Sequence, residues 1–308
     1  MLANFFGKSN PANFIVIFLI FLGFFLAKSI SLISANTFDV NLVMEQVLML
    51  LLFLLMFLFY NFILSKNKLT LYNSYGLLLF VLLFGFYPET MSNRNEVFLN
   101  VLLLVFLRRV YSLRSGKDVY KKIFDSGFWL GILFLLAPKT VIFGILMFLS
   151  IGLFQKINIR TLLIPCLGFL APIICYTTYC FWVDHTEEFT TLFLWYADYN
   201  FELYTTKPIL FSSLLLGALT IISIVLKTPK VLSISGSYRK YWILIIFNLF
   251  IAITVLIIQK THDGSQIILL FFPVSIIITN WLESIKKPIL KNIFIALLLV
   301  APVIIFIA

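Results

Sequence analysis

The chain has 308 residues, 62% of them hydrophobic and 12% charged, with a net charge of +10 and a mean hydropathy of +1.07. No fold of this length can hide that much apolar surface from water, which excludes a soluble globule and leaves a polytopic, all-α membrane protein. The basic excess does not imply a nucleic-acid partner, because the bases are spread over separate loops rather than gathered in a stripe with stacking aromatics.

Crossing about 30 Å of hydrocarbon takes about 20 apolar residues, fewer where snorkelling side chains anchor the ends. Eleven such runs follow along the chain: residues 14–33, 42–64, 69–87, 97–113, 126–137, 141–154, 161–183, 209–226, 241–259, 266–282 and 289–307. The first has only Lys8 before it and no small-x-small site near Ala35, so it is expected to remain as an uncleaved helix. The fifth and sixth are short and flank Pro138, so they are expected as a pair of short helices meeting at a sharp turn. The expectation is one integral membrane domain over 1–308, with no soluble domain.

Alternating the connections sorts the charges. One set holds eighteen bases against Asp118, Asp125 and Glu283, while the other holds ten acids against Lys28, Arg94, Lys139, Lys207 and Lys260. Basic residues of short loops stay cytoplasmic, so the first set is read as inside, with the N-terminus inside and the C-terminus outside. Cys166, Cys175 and Cys180 all fall in the seventh run, which gives neither a disulfide pattern nor a cysteine metal site.

For a protein without soluble domains, chemistry on polar groups belongs in a loop-lined cavity at one membrane face, and the outer face has the richer set. Asp39 stands in the first outer loop, where a carboxylate can act as general base on an acceptor hydroxyl. Arg94 and Lys139 can bind the phosphates of a lipid-linked donor. Glu89, Arg94 and Glu96 come close together in the second outer loop, and Glu45 lies about one turn into its helix. The plain alternative is that such charges at helix ends are simply solvated. Asp184 with His185 and His262 with Asp263 are the only His-Asp neighbours. Adjacent residues point in different directions, so no cofactor is expected, although both pairs are external and bringing them together to hold a divalent metal is geometrically open.

The long outer loop carries Trp195, Tyr196, Tyr199 and Tyr204 among its aromatics. These read as an interfacial belt, or as a platform for a glycan, a polyprenyl chain or a partner protein. On the inner side the basic stretch 108–122 suits anionic headgroups. Asn61, Asn100 and Asn248 suit hydrogen bonds between helices. Gly-rich phosphate loops, Ser-His-Asp signatures and zinc-protease motifs are absent from the sequence.

From Val119 the chain reads Val-Tyr-Lys-Lys-Ile-Phe-Asp-Ser-Gly-Phe-Trp-Leu-Gly-Ile-Leu, then Leu-Ala-Pro-Lys-Thr-Val-Ile-Phe ending at Phe143, followed by a basic break and a helix bearing Pro and Gly. This stretch, from Asp118 to Trp182, resembles the GT-C class of integral membrane glycosyltransferases, which use polyprenyl-phosphate-linked sugars. The resemblance implies a GT-C-like core over about 14–183, with further helices over about 208–307, and puts Asp39 where the class keeps its catalytic carboxylate. The class often pairs carboxylates in that loop, whereas Asp39 stands alone here. The stretch Asn-Phe-Phe-Gly-Lys-Ser-Asn-Pro-Ala-Asn-Phe from Asn4 also resembles the start of an uncharacterised family of Bacteroidota inner-membrane proteins.

Three functions follow as expectations. The first is a scaffold subunit of an inner-membrane machine for export or surface assembly, with the bilayer and other membrane proteins as partners. The second is a glycosyltransferase acting on a polyprenyl-phosphate lipid at the outer face. A transporter fits less well, because only one helix break and almost no mid-membrane charge are present.

Overall fold

The computed structural model describes residues 2–35, 40–155, 157–184, 186–193, 202–234, 236–259 and 263–307. Among them there are helices and no strands. The α-helices are α1 (Leu2–Phe6), α2 (Pro11–Ala35), α3 (Val40–Asn67), α4 (Tyr75–Phe86), α5 (Arg94–Tyr111), α6 (Val119–Leu136) and α7 (Gly144–Phe154). They continue with α8 (Ile159–Trp182), α9 (Thr186–Thr191), α10 (Lys207–Leu232), α11 (Ser237–Ile258), α12 (Phe271–Ser284) and α13 (Pro288–Ile307). Short 3-10 segments cover Pro88–Met91, Ser112–Ser115, Pro138–Phe143, Glu202–Thr205 and Ser265–Leu270.

A helix lies over each of the eleven apolar runs, because in lipid a helix satisfies its own backbone polar groups. Among the described residues, seven helical stretches are long and apolar enough to cross a membrane, and α4 and Pro138–Phe154 are shorter apolar pieces. Large side chains such as Leu58, Ile221 and Phe250 remain exposed on these helices, as expected of faces that meet lipid. The chain groups into two compact units that alternate along the sequence, the first formed by Met1–Phe98, Asn200–Ile234 and His262–Ala308, the second by Leu99–Tyr199 and Ser235–Thr261.

In the first unit every residue of α4 is buried, enclosed by α2, α3, α12 and α13. Aromatic rings fill the space around it. Tyr60 stacks on Phe80 at 4.1 Å, and Phe84 meets Phe271 edge-on at 4.9 Å. Gly85 lets the Phe24 ring lie against α4, since a Cβ there would come within 2.6 Å of it. The third apolar run begins at Leu69, yet its helix begins at Tyr75. The intervening backbone finds partners on α12 instead: Glu283 accepts from the Leu71 amide at 2.9 Å and the Asn73 side chain at 2.6 Å, and Asn280 donates to the Leu69 carbonyl at 3.1 Å.

In the second unit α6 and α8 pack backbone to backbone. A Cβ on Gly127 would strike the Pro165 carbonyl, one on Gly131 the Phe169 carbonyl, and one on Gly168 the Phe124 carbonyl. Glycines four apart on α6 thus form the small-residue seam by which membrane helices approach. α6 runs over 18 residues, from Val119, and so extends well before the short run at 126–137. Lys121 and Lys122 are polar but good helix formers, so polarity ends the apolar run without ending the helix. At the other end Ala137 is extended, and the Thr140 amide and hydroxyl return to its carbonyl at 2.9 and 2.7 Å to start the Pro138–Phe143 turn. The end of α5 is capped by side chains, with Val110, Tyr111 and Leu113 carbonyls accepting from Ser150, Tyr241 and Gln155.

Candidate functional site

A set of charged and polar groups of the first unit gathers where the Pro88–Met91 turn meets the Ser265–Leu270 segment. Pro88 starts the first turn, because its missing N–H costs nothing at that position. Gly264 starts the second, with φ of +81° in the left-handed region that favours glycine. Space is short as well, since a Cβ at Gly264 would lie 3.2 Å from Leu203 and 3.4 Å from Glu89. The turn lets one Asp263 oxygen accept from the Ser265 amide at 3.0 Å and its hydroxyl at 2.6 Å, while the other accepts from Asn93 at 3.1 Å.

A cavity of about 340 Å³ opens here, lined by Glu45, Glu89, Ser92, Asn93, Arg94, Asn95 and Asp263. Its charges are largely matched in pairs: Arg94 lies 3.5 Å from Glu45, and Lys28 lies 3.0 Å from Glu89. Glu96 sits in the first turn of α5, just ahead of its apolar run. One of its carboxylate oxygens is buried and has no hydrogen-bond partner among the described residues. Burial, helped by the neighbouring Asp263 charge, pushes the Glu96 carboxyl up to about 7. Burial would also raise Asp263, but hydrogen bonds from Ser265, Asn93 and Gln266 outweigh it and hold that carboxyl below the usual range. Burial, with Asp263, Glu96 and Tyr87 adding, pushes the Tyr204 phenol up to about 12. Near neutral pH the site therefore offers one carboxylate that holds its charge and one poised to gain or lose a proton.

Arg94 and Tyr204 of the sequence-derived set belong to this unit. Lys139 belongs to the other, where it is 8% exposed and its ammonium donates to the carbonyl of Ile258 at the end of α11. A cation at that place satisfies an orphan carbonyl and suits the negative end of the helix. Asp39, Trp195, Tyr196 and Tyr199 lie outside the described residues, as do His185 and His262. No group of three or more His, Cys, Asp or Glu side chains is placed to hold a metal ion among the described residues.

Sequence reasoning grouped Glu89, Arg94 and Glu96, but missed the pairing of Lys28 with Glu89 and of Asn93 with Asp263. The signal for Lys28 was present: it is the only charge within the α2 helix, and an ionisable residue in such a helix calls for a partner.

The fold and its turn-lined pocket define a multi-pass α-helical membrane protein. Residues 8–308 match the family of unknown function DUF6427, and the chain belongs to that family. Neither the curated proteins nor the solved structures give a match.

Proposed function

We propose that the chain is a non-catalytic scaffold subunit of a larger envelope machine in the bacterial inner membrane, serving protein export or surface assembly. It would cross the membrane about eleven times in a GT-C-like arrangement, with the basic loops inside. The charge balance at the pocket carries this reading. Arg94 is paired with Glu45 and Lys28 with Glu89, and Asp263 adds a further negative charge, so a pyrophosphate would find no spare cation and meet repulsion there. Lys139, the other cation offered to a phosphate, is engaged by a backbone carbonyl.

Co-purification from native membranes tests the proposal. Trp195→Ala should release partner proteins, because aromatic anchors carry much of an interface's energy, while Asp39→Asn should leave them bound. Full retention of all partners by Trp195→Ala and by a Trp195→Ala/Tyr199→Ala double variant would overturn it.

A second reading, a glycosyltransferase using a polyprenyl-phosphate-linked sugar, is favoured by one observation. Glu96 and Asp263 are carboxyls with protonation pushed apart beside a cavity, as general acid-base work requires. On that reading Asp39→Asn lowers turnover by roughly 10²-fold or more with partners retained.

A further inference from the structure

A second cavity of the first unit, about 400 Å³, adjoins the polar one and shares Glu89 with it. Its walls are mainly apolar, from Ala27, Phe86, Ile209, Ile267 and Phe306, and Lys28 stands among them. The Lys28 side chain is only 17% exposed, so its charge is held against apolar surface with Glu89 as counter-ion at 3.0 Å. A cation so placed is costly and marks a binding function by default.

We propose that this cleft binds an aminophospholipid of the ethanolamine class, acyl chain along the apolar wall, phosphate at Lys28 and ammonium at Glu89. Charge complementarity selects the class. The Lys28 cation is already paired, and beyond Glu89 lie Glu45, itself paired with Arg94, and Asp263, so three carboxylates face two cations and a purely anionic headgroup would meet more negative than positive charge. A zwitterion instead replaces one ion pair with two, its phosphate on the lysine and its ammonium on the carboxylates. A primary ammonium has three N–H donors for those carboxylates, whereas the methylated ammonium of choline has none. The apolar wall with a few convergent polar groups at one end has the form of a small-molecule site. The assignment stands for a scaffold and for a transferase alike.

Thermal-shift titration of the delipidated full-length protein in detergent, with short-chain phosphatidylethanolamine, phosphatidylcholine and phosphatidylglycerol, tests it. For the unmodified protein the half-saturating concentration should be at least fivefold lower for the ethanolamine lipid than for either other. Lys28→Met and Glu89→Gln should each bring the three within twofold, and Lys28→Arg should keep the preference. Equal half-saturation for all three lipids on the unmodified protein would show only general lipid solvation and overturn the proposal. A preference for the glycerol headgroup, or a preference for ethanolamine that survives Glu89→Gln, would overturn it too. If Glu89→Gln does not fold, the unmodified protein's selectivity together with Lys28→Arg still decides.

Discussion

Asn93 donates its side-chain amide to the Asp263 carboxylate at 3.1 Å, joining two loops separated by 170 positions in the chain. The same asparagine accepts from the Asn95 amide at 3.1 Å, so it organises the start of α5 while fixing the turn that leads to α12. The pocket is therefore assembled by turn residues, and the titration of Glu96 depends on that assembly.

The Glu96 carboxyl titrates at about 7 when folded, against an ordinary value of 4.5, so the native state holds its proton more tightly than the unfolded chain does. Its contribution to stability is complete below about pH 4.5 and is lost as pH rises through 7. Melting temperature in detergent should consequently fall between pH 5 and pH 8 more steeply for the unmodified protein than for Glu96→Gln. Parallel slopes for the two proteins would refute this account of Glu96.

At the seam between α6 and α8, Gly127→Ala should cost about 1–3 kcal/mol, because the added methyl meets backbone that cannot swing aside. Gly217→Ala on α10 meets nothing within 4 Å and should be neutral or mildly stabilising. Denaturation of the two variants side by side separates loss of the seam from a general effect of replacing glycine in a helix.

Two cations singled out from the sequence should behave differently. Arg94 and Glu45 are both about half exposed, so Arg94→Ala should change stability by about 0–1 kcal/mol. Lys139→Met removes a buried cation and strips the part-buried Ile258 carbonyl of its donor, and should cost about 1–3 kcal/mol. Equal losses in unfolding experiments would show that the Ile258 contact contributes nothing special.

Topology can be read by labelling from the outer side, in a background with the three native cysteines replaced by alanine. A cysteine at Asn95, which is exposed, should be modified, and one at the equally exposed Lys117 should not. The opposite pattern would invert the orientation inferred from the eighteen bases on one side.

The helices were legible because each apolar run is continuous, and lipid leaves such a run few alternatives to a helix. Their limits were less so. Leu69 to Ser74 falls within the third apolar run, but Thr70, Asn73 and Ser74 are polar, Ser74 stands at the N-cap of α4, and Glu283 and Asn280 of α12 take up backbone groups of the segment. Glu89, Arg94 and Glu96 could be grouped because they are neighbours in sequence. Asp263 joined them only through a turn at Gly264 and a side chain 170 positions away, and Lys28 only through Glu89. Charges on one face are visible in sequence, whereas which of them neutralise one another is set by tertiary packing.

At about 1.5 Å per residue, the 12 residues of α4 extend only about 18 Å, well short of the hydrocarbon thickness. Two of the helices that enclose it, α12 and α13, are synthesised long after it. During biogenesis α4 must therefore wait with part of its surface against lipid, which accounts for its being apolar on every side although protein finally surrounds it. Its residence in the bilayer is provisional until α12 arrives, so the first unit closes late in translation, and a ribosome stalled before that point would leave α4 exposed to membrane quality control.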